Sequence, residues 1–95
     1  MIYSIMDRRE LLMKYNGNLS ELRNIMKSFQ LIPNAPIDEF DKLNHKILSH
    51  LDSGANEKKI GNILQSELIV TYGLYSTEFD ETIIADAIVK WWNSN

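Results

Sequence analysis

The chain is 95 residues long with 44% hydrophobic and 24% charged residues, a composition that suits one packed domain and gives no sign of a disordered tail. It has no cysteine, which excludes disulfides, thiolate nucleophiles and Cys-ligated zinc or iron–sulfur centres. The net charge of −3 is unevenly spread: residues 1–30 hold five basic and three acidic side chains, residues 31–95 five basic and ten acidic. A net-acidic chain without a Lys/Arg stripe is a poor match for a phosphate backbone and a better one for a basic protein surface.

Helical periodicity runs through every long segment, and five helices are predicted. The first runs from Ile5 to Tyr15, entered through Ser4 with Asp7 three residues later, and Asn16-Gly17 supplies its stop. The second opens on Asn18-Leu19-Ser20-Glu21, where Asn18 caps the backbone and Glu21 reaches back to complete a capping box. Leu19, Leu22, Ile25, Met26 and Phe29 then line one face, and the helix ends before Pro33.

The third is expected from Asp38 to Asp52, with Phe40, Leu43, Ile47 and Leu51 on one side and Gly54 just beyond. The fourth begins at Asn56, carries Ile60, Ile63, Leu64, Leu68 and Ile69, and stops at Tyr72-Gly73; Gly61 inside it suggests a close helix contact. Thr77 is read as the cap of the fifth, which holds Glu78, Asp80 and Glu81 in its first turn. Its apolar residues, Ile83 to Trp92, cover more than half its circumference and suggest the central helix. Together these elements imply an all-α, compact single-domain bundle of about five helices over residues 1–95.

No catalytic or cofactor signature emerges. His45 and His50 sit about 140° apart on a helix, too far to share a metal, and read as surface or boundary residues. The serines lie in no nucleophile elbow, and the isolated glycines form no phosphate loop. Glu67 falls within the apolar arc of its helix, where a partly buried carboxylate needs a partner, Arg23 or a backbone donor, unless it marks a frayed boundary position. The acids Asp38, Glu39, Asp41 and Glu78, Asp80, Glu81 fall at helix starts, where the macrodipole already favours them. If consecutive helices pack antiparallel, the two groups converge on one end of the bundle, with Tyr75 as an aromatic contact between them.

The stretch Pro36-Ile37-Asp38-Glu39-Phe40-Asp41, followed by an amphipathic helix after Gly54, resembles a small bacterial family without known activity that has a proline-x-Asp-Glu-aromatic-Asp helix start, over residues 36–72. In size, acidity and helical build the whole chain is also similar to the small immunity proteins that bacteria pair with secreted or contact-dependent toxins. That resemblance implies a non-enzymatic antidote that covers a basic, nuclease-like toxin, without cofactor, metal, direct nucleic-acid contact or membrane contact, and preferably monomeric. A regulatory or scaffolding helical module, homodimeric through exposed apolar residues such as Trp92, is the other reading. The first ten residues leave no room for a signal-peptide core, so a cytoplasmic location is expected.

Overall fold

The structure is a computed structural model that describes residues 8–94. It is all-helical there, with four helices: α1 (Arg8–Ser28), α2 (Asp41–Asp52), α3 (Glu57–Val70) and α4 (Glu81–Ser94). The expected entry through Ser4 and Asp7 lies outside the described residues. The first and second predicted helices are one element, because α1 passes through Asn16-Gly17-Asn18 without a break. A single Gly in a helix interior costs about 1 kcal/mol, whereas a break would leave several backbone donors and acceptors without intrahelical partners. Continuity therefore wins over the local stop signal.

Helix ends follow local chemistry. Residue Gln30, at φ +49°, takes a left-handed conformation just past α1, and Asn34 repeats it at φ +63°. The chain then makes a turn through Pro36 to Phe40, in which the amide of Glu39 donates to the Pro36 carbonyl at 3.0 Å and that of Asp41 to the Asp38 carbonyl at 3.1 Å. This turn delays α2 to Asp41, three residues later than expected. Gly54, at φ +88°, closes α2: its amide reaches the Leu51 carbonyl at 3.0 Å, and the Ala55 amide reaches His50 at 2.9 Å. That pair of bonds is the Schellman pattern, which only a residue free to take positive φ accommodates well. Asn56 caps α3 as expected, its side-chain oxygen accepting from the Lys59 amide at 2.9 Å. Asp80, not Thr77, caps α4, with its carboxylate accepting from the amides of Thr82 at 3.0 Å and Ile83 at 3.3 Å.

One apolar cluster joins all four helices. Leu22 and Met26 of α1, Leu43 and Ile47 of α2, Ile60, Leu64 and Leu68 of α3, and Ile84 and Ile88 of α4 are each almost wholly buried. Each such side chain contributes about 1.5–3 kcal/mol of burial. The helices form a closed ring, α1 against α2, α2 against α3, α3 against α4, and α4 against α1. No helix is central: Ile83 of α4 is 58% exposed.

Direction within the ring decides where the acids fall. Arg23, near the end of α1, meets Asp41 at the start of α2, and Phe40 packs at a tilt against Tyr72, just past the end of α3, with ring centroids 4.8 Å apart. These pairs are antiparallel. On the far side, Gly61 of α3 faces Glu81 and Ala85 of α4, so the two first turns lie together. At the other end of α4, Trp91 reaches back to Glu21 of α1. Helix α4 thus runs parallel to α3, and residues 71–80 carry the chain back along the bundle. The expected all-antiparallel packing is corrected at this step.

Candidate protein-binding surface

The parallel α3–α4 pair separates the two acidic groups. Asp38, Glu39 and Asp41 stand at the end where α3 finishes, beside Tyr72, whereas Asp80 and Glu81 start α4 beside Gly61 at the beginning of α3. Gly61 and Tyr72 are about 16 Å apart along a helix of this kind. The single acidic end expected from the sequence is therefore not formed.

Several of the acids are also occupied locally. Asp41 receives a forked contact from Arg23, Nε donating to Oδ1 at 2.9 Å and Nη2 donating to Oδ2. The Arg23 guanidinium holds the Asp41 carboxyl below the usual carboxylate range, against the opposing effect of partial burial. Asn44, fully buried between these elements, adds a long 3.5 Å bond from Nδ2 to Asp41, while its Oδ1 has no donor. Arg23, a partner expected for Glu67, serves Asp41. Glu67 instead accepts from Lys46 at 2.9 Å and from the Thr71 hydroxyl at 2.7 Å, and the Lys46 bond pulls its carboxyl below the ordinary range. Asp80 is the α4 cap, and Glu78 accepts from the Tyr75 amide at 2.9 Å, which folds the 75–78 turn.

Asp38, Glu39 and Glu81 remain. Asp38 and Glu39 are exposed and Glu81 is partly buried, and none of the three enters an ion pair among the described residues. Glu39 lies close enough to Tyr72 that its charge, after burial, helps push the phenol above its ordinary range. In the turn that holds Asp38 and Glu39, Ile37 is 43% exposed, and Val70, which ends α3 at this end of the bundle, is 80% exposed; Tyr75, 75% exposed, lies further along the returning 71–80 segment. Periodicity could not have found Val70, which closes a helix whose other apolar residues are mostly buried.

The remaining candidates carry no visible chemistry. His45 is exposed and stacks on Tyr15 at 5.7 Å, its Nδ1 paired with the Tyr15 hydroxyl. Among the described residues, no group of three or more His, Asp or Glu side chains is placed to hold a metal ion, and no helix is long and apolar enough to cross a membrane. Trp91 and Trp92 meet edge to face at 5.9 Å and are both partly buried against the core, so Trp92 is no free anchor. Comparison with family models, with curated proteins and with solved structures finds no match to this chain.

Proposed function

We propose that this chain is a non-catalytic binding protein, an antidote that covers a basic, nuclease-like cleft on a cognate toxin. The surface assigned to that role is the end made by the start of α2 and the finish of α3. One observation carries the reading: Asp38 and Glu39 are exposed without ion pairs among the described residues, in a turn that also exposes Ile37 and at the end where α3 finishes on exposed Val70. Exposed apolar side chains at the same end as unpaired acids have the composition of an interface, with apolar anchors for affinity and charge for steering. Such a protein inhibits by occupying the cleft that would hold a nucleic-acid backbone, and needs no reactive group of its own.

The test is co-expression with the product of the adjoining gene, scored as protection of growth and as affinity between purified proteins. The double substitution Asp38→Lys with Glu39→Lys is expected to abolish protection and to weaken binding by roughly tenfold or more. Glu57→Lys with Glu81→Lys, at the opposite end and sparing the Asp80 cap, should leave both intact. Equal losses from the two pairs would remove this surface from consideration.

A further inference from the structure

Helix α1 contains an unused alternative. Asn16-Gly17 is a helix stop and Asn18-Leu19-Ser20-Glu21 is a helix start, yet the backbone runs straight through both. The last turn of the arm ahead of the stop is thinly held. Residues 13–17 are all exposed, with Met13 at 66% and Tyr15 at 37%, and from Met13 onward the first buried residue of α1 is Leu19. Among the described side chains, this turn meets the bundle through the Tyr15 and His45 ring pair. Glu21, the residue that would complete the capping box, is engaged elsewhere: it accepts from the Trp91 indole at 2.8 Å. In a straight helix the Asn18 amide is satisfied within the helix, so Glu21 is free to hold Trp91. In a broken helix the Asn18 amide loses that bond and Glu21 becomes its natural acceptor. Reaching back to the Asn18 amide draws the Glu21 side chain along the helix axis, so the two uses compete for its orientation.

We propose that Asn16–Asn18 is a two-state hinge, switching α1 between the straight helix and a helix-turn-helix, with Glu21 exchanging Trp91 for the Asn18 cap. The straight state presents Met13, Lys14 and Tyr15 on a projecting arm. The bent state turns that arm and loosens the tie between α1 and α4. A partner that binds the arm therefore shifts the contact at Trp91, and the reverse holds with equal strength.

The chain has no cysteine, so spin labels at Glu10→Cys and Lys27→Cys report α1 alone. These positions are about 26 Å apart along a straight helix, and a bend at Gly17 brings them closer. The expected distance distribution has a long and a short component. Gly17→Ala meets open space at its added carbon, so the variant folds, and it should raise the long-to-short ratio about fivefold. Asn18→Ala, which removes the cap, should act in the same direction, and Trp91→Phe, which frees Glu21, should enrich the short component. A single long distance that Trp91→Phe leaves unchanged overturns the hinge. A short component that Gly17→Ala leaves undiminished overturns it equally.

Discussion

Arg23 and Asp41 show how one pair of side chains can withdraw a residue from a binding role and give it a structural one. The fork ties the end of α1 to the start of α2, and Lys46 with Glu67 does the same between α2 and α3. Both carboxyls titrate below their unfolded values, Asp41 because of the Arg23 bond and Glu67 because of the Lys46 bond. The linkage sign follows: their contribution is complete above the unfolded carboxylate range of about 4 and is lost as pH falls through the lower folded values. Thermal melts between pH 5 and 2 should therefore show falling Tm. Asp41→Asn with Glu67→Gln should lower Tm at pH 7 and flatten its decline in acid. Both pairs are partly solvated, so the effect is modest. An unchanged acid slope in the double variant would mean that other carboxyls govern it. The donorless oxygen of Asn44, buried beside this seam, is a polar group that such a small core tolerates at a cost of about 1–3 kcal/mol.

Among the elements, those with a capping residue directly ahead of an apolar period were legible in the sequence. Asn56 is the clearest, and Asn56→Ala is expected to cost about 1 kcal/mol in chemical denaturation. Gly61 was legible as a helix contact, and the structure adds that the contact has room for one more carbon. A carbon placed there would sit 3.8 Å from the Ala85 side chain, ordinary contact, so Gly61→Ala should stabilise by up to about 1 kcal/mol while Gly61→Leu should destabilise by forcing α3 and α4 apart. Destabilisation by Gly61→Ala would show the two helices to be closer than described. Two features were not legible. Local signals at Asn16-Gly17 could not reveal that backbone continuity prevails. The ten residues from Thr71 to Asp80 read as an ordinary connection, when they are a return path that reverses the direction of α4. Short connections favour antiparallel neighbours, but this one is long enough to span α3 and permits a parallel pair. The acid surface inferred from it failed for the same reason.

At the scale of the whole molecule, negative charge is divided rather than gathered. Asp38 and Glu39 stand at one end, whereas Glu57, Asp80 and Glu81 gather at the other, where two parallel helix starts both favour acids. A steered encounter with a basic partner would thus have two approaches, the first with exposed Ile37 and Val70 and the second with exposed Ile83. The parallel pair also bears on how the chain acquires its structure. Helices α2 and α3 are joined by four residues and can pair early, while Trp91 must find Glu21 across a separation of 70 residues. Ile47→Val, between early partners, should slow refolding, and Trp91→Phe should chiefly speed unfolding. Comparable φ values at both sites would refute that order. Since Trp91 and Trp92 are the chain's two tryptophans and both lie at the end of α4, their fluorescence is a built-in clock for ring closure, the moment when the last helix meets the first.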